Sequence, residues 1–406
     1  MVPAVSAGKE TSVTQLHLAV ALDGAGWHPA AWRTPQARPR DLLTAGYWSG
    51  LLAEAERGLL DFATIDDSLT IQSADPFAPD ERTDQVRGRL DAVGIAARVA
   101  PVTEYIGVVP VVTTTHTEPF HTAKNIATLD YVSTGRAGVQ IRTGGFGGEA
   151  ALFGRRELPD LNLRLLNTPE IQQFVAERFD EAADYVEVVR RLWDSWQDDA
   201  EIRDVTTGRF IDRDRLHRIN FEGRWFSVRG PSITPRPPQG QPLVTALGHA
   251  TVPYRLAARQ ADVLFVTPLD TAGAIRIRDE VLREVAAAGR DGQLKIFADL
   301  LVHLDTDKAR PDKARPDKAA TSDHVSDARI LAGSVTTIAD HIEELHQLGY
   351  DGVRLRPGVL PDDLTAITGL LVPELQRRGL FRTRYTSSTL RGHLGLDRPT
   401  SRYQPV

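Results

Sequence analysis

Eight short apolar runs, each followed by a helical pattern or a longer connection, constrain this chain more than any other feature. They are Leu16–Leu22, Asp61–Asp66, Ile106–Thr114, Gly138–Thr143, Leu243–Gly248, Ala261–Val266, Lys295–Leu304 and Gly352–Pro357. The runs are near-continuous rather than alternating, the pattern of parallel strands buried on both faces. Between them, Leu43, Tyr47, Leu51, Leu52 and Ala55 recur at helical spacing over 42–59. Phe179, Ala182, Val186, Val189 and Trp193 do the same over 178–193. Thr336–Leu348 and Pro361–Arg378 complete the series, the second entered through Pro361 and Asp362 and left through Gly379. Strands alternating with helices in this number predict an α/β chain folded as a (β/α)8 TIM barrel, one domain over residues 1–406.

The 406 residues exceed the roughly 250 typical of such a barrel. Residues 144–242 separate the fourth and fifth strands, and 197–241 are polar and rich in Arg, Pro and Gly. This stretch is predicted to be an insertion over the barrel mouth. A low-complexity loop is predicted over 305–322, where Asp307–Pro311 repeats unchanged as Asp312–Pro316 and begins again at Asp317. A charged five-residue unit with prolines has no apolar face to bury. Residues 379–406 form a C-terminal extension.

Composition removes several chemistries. Without cysteine there is no disulfide framework, thiolate nucleophile or Cys-ligated metal. A net charge of -6 gives no footprint for nucleic acid. No apolar run approaches 18 residues, and Met1–Gln15 lacks the pattern of a signal peptide. A soluble, cytoplasmic protein is the expectation.

Barrel chemistry sits where strands end. Those positions carry Asp66-Asp67-Ser68, then Thr113–His121, then Gln140–Thr143 with the glycine-rich 144–148, and then Gly248-His249. Acids, hydroxyls, amides and imidazoles around one mouth suit a polar cofactor or substrate with several heteroatoms. Thr117 and Asp67 equally suit helix caps. Metal binding is not indicated: His116 and His121, like His341 and His346, are five apart and do not share a helix face. The glycine run matches no established phosphate-loop spacing, and no GxSxG elbow occurs.

At these positions the chain resembles the bacterial-luciferase-like flavin monooxygenases, in particular the nitrilotriacetate, pristinamycin and dibenzothiophene-sulfone monooxygenase group. The resemblance is carried by Trp27–Arg33 (WHPAAWR), Ala53–Gly58 with Asp61-Phe62, Thr114–His121, Leu192–Trp196 (LWDSW), Arg224–Pro231 (RWFSVRGP) and Pro373–Thr383 (PELQRRGLFRT), across residues 16–403. It implies a (β/α)8 fold, reduced FMN supplied by a separate flavin reductase, O2 and a small organic substrate, and assembly as a homodimer or larger homo-oligomer. A deazaflavin in place of FMN is compatible with the same resemblance. His116 and His121 are the candidate proton donors or acceptors.

Carried over residue by residue, Asp67 and Thr114 match the family's flavin contacts. Gln140 stands where the family usually has Asn. Val175 and Phe179 replace a His and a Tyr, and His249 and Ala250 replace a serine pair that would hold the phosphate. Arg142 and His249 are the candidate replacements, since a guanidinium and an imidazole both donate to phosphate. Two readings follow: a flavin monooxygenase with a rebuilt phosphate site, using Asp67, Thr114, Gln140, Arg142 and His249, or a non-catalytic homologue that serves as a companion subunit or binds another ligand.

Overall fold

A computed structural model describes residues 15–404 except 74, 76–78, 145–146, 160–163, 166, 291 and 306–325. The repeat at 307–319 lies outside the described residues. Eight parallel strands close into a barrel: β1 (His17–Leu22), β2 (Phe62–Ile65), β3 (Gly107–Thr113), β4 (Gly138–Arg142), β5 (Leu243–Gly248), β6 (Val263–Val266), β7 (Lys295–Leu304) and β8 (Gly352–Pro357). Closure comes from the β1–β8 pairing, with His17 opposite Gly352, and from the β6–β7 pairing, with Val263 opposite Lys295. All eight lie within the apolar runs predicted to be strands. A further strand, Arg329–Gly333, pairs with Leu300–Leu304 of β7 beyond the end of β6.

The packing explains the near-continuous apolar runs. One face of each strand packs outward against helices in the main core, which includes Leu18, Val20, Ala63, Val108 and Leu264. The other face points into the barrel. Its lower layer is apolar, with Ala19, Phe62, Val109, Leu243, Val263, Phe265 and Phe297 in one cluster. The C-terminal extension closes the foot: Leu390 and Leu394 join that cluster, fully buried. Gly107 is required there, because a Cβ would meet Leu390 Cδ1 at 2.6 Å and Phe62 Cβ at 2.9 Å.

Three helices matter for the site: α1 (Ala45–Arg57), α2 (Ala92–Val99) and α3 (Pro119–Val132). After β4 come α4 (Gly147–Phe153) and α5 (Pro169–Asp194), then α6 (Thr251–Gln260) after β5. The α5 helix begins nine residues before the predicted 178–193, capped by Thr168 and entered through Pro169. The Pro361–Arg378 prediction resolves into Asp362–Ala366, a π-helical turn at Ile367–Leu371 and Val372–Arg377. Pro373, which has no N–H to give, breaks the ladder next to that turn.

The insertion runs along the barrel wall and foot as well as at the mouth. Its first part, including α4, lies at the mouth. Helix α5 then carries the chain down the barrel wall: the Tyr185 hydroxyl bonds Thr117 and Thr122 near the top, and Arg190 reaches the Gln260 carbonyl and Asp262 below β6. Residues 195–242 therefore start at the foot. They also end there, where Gln239 bonds buried Asp130 and the Ala137 carbonyl, and Arg236 bonds Asp194 and Asp198. In between they climb back along α5, with Phe226 edge-on to the Tyr185 ring and Arg224 bonding Glu177 at 3.1 Å. A polar stretch on a barrel can start at either end; the direction of the preceding helix decides which.

Candidate active site

Period-two alternation places Thr64 on β2, Gln140 on β4, Asp299 on β7 and Arg354 on β8 inside the barrel, above the apolar layer. Arg354 touches four other strands at once, which only an inward side chain does. It donates to Asp299 through Nε at 2.9 Å and Nη2 at 2.5 Å, to the Gln140 oxygen at 2.6 Å and to Thr64 at 3.3 Å. Its guanidinium lies 3.8 Å over the Phe265 ring. Arg356, two residues on, donates to Asp299 from Nε at 2.9 Å and also from Nη2. Its Nη1 reaches Asp327 at 2.5 Å, and its guanidinium lies over Trp27. Burial alone would push the Asp299 carboxyl up; the two guanidiniums overcome that and hold it at about 2.

The chain of contacts continues upward to His249. Its Nε2 lies 3.4 Å from Asp327, and its Nδ1 is 2.9 Å from the Thr267 hydroxyl. Packing around the ring lowers the imidazole pKa, against the pull of Asp327. His249 is thus biased toward neutrality and faces a carboxylate, a poorer phosphate partner than a charged imidazole. Next to it, Ala250 occupies the N-cap of α6 and makes no side-chain cap bond. The first backbone N–H groups of that helix, at Thr251 and Val252, have no partner within the helix.

A second group gathers at the ends of β2, β3 and β4. Arg142 Nη1 donates to the Asp67 carbonyl at 2.7 Å, so its side chain leans across β3 toward β2 and away from β5. Thr114 donates to the Arg142 carbonyl at 3.2 Å. The Asp67 carboxylate accepts from Ser68 N at 2.7 Å and from Ala92 N, the first residue of α2, at 2.9 Å. Burial raises its pKa, opposed by those two bonds. Asp67 thus satisfies one N–H at the start of α2, whose N-cap residue is Asp91. Arg89 braces this side, bonding Asp23 at 2.9 Å and Asp66 at 3.1 Å.

The predicted residues consequently fall into two clusters. Asp67, Thr114 and Arg142 form one. Gln140 and His249 belong to the other, linked through Arg354, Asp299, Arg356 and Asp327. His116 is buried behind β3, stacked on Phe153 of α4 at 4.9 Å. His121 is exposed in the first turn of α3, and its ring meets Phe120 edge-on at 6.4 Å. Among the described residues, no hydrogen bond or ion pair joins His121 to the other candidates. Phe179 packs against the small cluster of Ala182, Ala183 and Leu256, which accounts for it as packing. Among the described residues there is no group of His, Asp and Glu suited to hold a metal ion.

Sequence reading missed Asp299, Asp327, Arg354, Arg356 and Glu149. A signal existed for the arginines: two residues apart on β8, they share one face, and a charged pair inside a strand marks an interior partner. Asp299 stood in an otherwise apolar run for the same reason.

The donor set suits an anionic ligand with several acceptors, as a flavin mononucleotide is. Gln140 gives its oxygen to Arg354, leaving its amide N–H2 as the donor end. Arg142 spends one of its N–H groups on Asp67. The start of α6 offers backbone N–H groups to a phosphate. Thr245 Oγ1, on the residue in register with Gln140, is buried beneath the mouth without a partner among the described residues.

Comparison with known proteins agrees with this architecture. Residues 47–315 match the family model described as luciferase-like monooxygenase. The chain is 30% identical over 454 aligned positions to N-acetyl-S-(2-succino)cysteine monooxygenase of Bacillus subtilis (strain 168), covering 96% of this chain and 98% of that one. It is 30% identical to nitrilotriacetate monooxygenase component A of Aminobacter aminovorans, covering 95% and 97%. Among solved structures, a riboflavin lyase with modified FMN and riboflavin has the same fold, with a TM-score of 0.79 at 23% identity, covering 94% of this chain and 96% of that one. No helix among the described residues is long and apolar enough to cross a membrane. The chain belongs to the luciferase-like monooxygenase family.

Proposed function

We propose that this protein is the oxygenating component of a two-component flavin monooxygenase. It would take reduced FMN from a separate reductase, use O2 and oxygenate a small organic substrate, working as a homodimer or larger homo-oligomer. What carries the reading is the donor-rich mouth in a chain similar, over nearly its whole length, to two monooxygenases, one of them called a component A.

In this reading Asp67 and Thr114 orient the ring system, and Gln140 and Arg142 donate to its polar edge. The phosphate lies at the start of α6, with His249 contributing one neutral hydrogen bond. When bound, the reduced flavin supplies the two electrons that divide O2 between product and water. The protein's own work is to position and to keep water out. The Asp299–Arg354–Arg356 cluster serves positioning: it fills the barrel below the mouth with locked side chains and fixes the Gln140 amide. Helix α4, with Phe153 on His116, covers one side of the opening.

One observation favours the companion-subunit reading. At the expected phosphate position, His249 is already bonded to Thr267 and lies beside Asp327, and Ala250 brings no side-chain donor. Anaerobic titration with reduced FMN separates the two: saturable binding supports the oxygenase, and its absence supports the companion subunit.

A further inference from the structure

Two orphaned polar atoms at the mouth face each other. Glu149 projects from the first turn of α4 and His116 from the segment after β3. Both side chains are 1% exposed, and Nε2 of His116 lies 4.0 Å from Oε2 of Glu149. Among the described residues, neither atom has a hydrogen-bond partner.

The surroundings hold this arrangement in place. Phe153, one turn along α4 from Glu149, stacks on the imidazole with the two planes 6° apart. The Thr115 hydroxyl donates to the Gly144 carbonyl at 2.8 Å and accepts from its N–H at 2.9 Å. Gly144 thereby passes so close to Glu149 that a Cβ at this position would collide with Oε2.

A buried carboxylate and a buried imidazole are each unfavourable as lone charges. Together they are satisfied by one proton, carried on nitrogen as an ion pair or on oxygen as a neutral pair. The gap of 4.0 Å is too long for a hydrogen bond. A shift of about 1 Å would bring the two atoms within hydrogen-bond reach.

We infer that Glu149 and His116 form a one-proton pair at the barrel mouth, from which a proton is delivered to the reacting centre. If reduced flavin enters as its anion, the overall oxygenation consumes one proton: RH, O2, the anion and H+ give ROH, water and oxidised flavin. The pair is a buried store for that proton. This use of the proton rests on the oxygenase reading above; the pairing itself does not.

Several charges face the pair. Arg142 lies on the Glu149 side, and Arg156, Arg178 and Glu181 surround His116. Arg156 and Arg178 are both paired to Glu181, at 2.9 Å and 2.6 Å. Burial raises the Glu149 pKa, opposed by Arg142, and burial with Arg156 lowers that of His116.

The test follows the His116 ring by 15N NMR across pH in the ligand-free protein, with the resonance assigned by its loss in H116N. An ionised Glu149 favours the protonated ring, so E149Q should move the His116 midpoint down by about one pH unit or more, about a tenfold change in proton affinity. Far-UV circular dichroism checks folding. E149D, which keeps the carboxylate but draws it back, should give an intermediate midpoint and stands in if E149Q does not fold. A midpoint identical to wild type in whichever variant folds overturns the pair. Failure of the oxygenase reading shows instead as absent flavin binding with the titration intact.

Discussion

Replacing Asp299 by asparagine removes the one carboxylate that both interior arginines share. Asp299 is fully buried, and Arg354 and Arg356 are 3% and 2% exposed. The variant leaves two guanidiniums facing an amide in a closed barrel. Breaking a buried ion pair by removing one partner costs about 3–5 kcal/mol, a large share of the roughly 5–15 kcal/mol that keeps a domain folded. An independent figure comes from protonation. The carboxyl falls from its ordinary 3.8 to about 2, which at about 1.4 kcal/mol per tenfold is about 2–3 kcal/mol of stabilisation. Because this group is held below its ordinary value, that contribution is full above about pH 5. It is lost as the pH falls from 3.8 through about 2. Urea unfolding followed by far-UV circular dichroism should therefore show D299N less stable than wild type by about 3–5 kcal/mol at pH 7. The gap should narrow by about 1 kcal/mol at pH 3. A loss under about 1 kcal/mol at pH 7, or a gap that does not respond to acid, would refute the argument that this carboxylate neutralises the barrel interior.

Two further outcomes are expected. Leu390→Ala opens the plug at the barrel foot, where Leu390 is fully buried against Phe62 and Val109; it should cost about 2–5 kcal/mol in the same unfolding assay, with reduced-FMN affinity unchanged in the folded protein. A neutral imidazole contributes one ordinary hydrogen bond of about 0.5–1.5 kcal/mol, so His249→Ala should weaken reduced FMN about 2- to 13-fold, with little change in that ratio between pH 7 and pH 8. Unchanged affinity removes His249 from the phosphate site, and a loss of about a hundredfold or more, near 2.7 kcal/mol, would show it to be charged there.

Much of the fold was legible because barrel strands bury both faces: Ile106–Thr114 and Gly352–Pro357 announce themselves without any knowledge of their partners. The start of α5 was less visible, since its first two turns, through Phe174 and Val175, carry few deeply buried apolar residues. The path of residues 195–242 was not legible at all. It depends on where α5 ends and on Gln239 finding Asp130, a contact across more than a hundred residues. The site was half legible for a related reason. Residues that follow strand ends, such as Asp67, Thr114, Arg142 and His249, can be found from position alone. Whether Arg142 leans toward β2 or β5, or Gln140 turns to Arg354, depends on non-local partners that no spacing reveals.

The claim on which the functional account rests is that this mouth holds a reduced flavin. Anaerobic titration of the purified protein with reduced FMN, followed by equilibrium dialysis, tests it without any assumption about substrate. Saturable binding of one flavin per chain, with a Kd below about 1 mM, corresponding to at least about 4 kcal/mol, is the predicted result. No saturation up to millimolar flavin, in protein shown to be folded, would contradict it and leave the barrel as a companion subunit or a binder of another ligand.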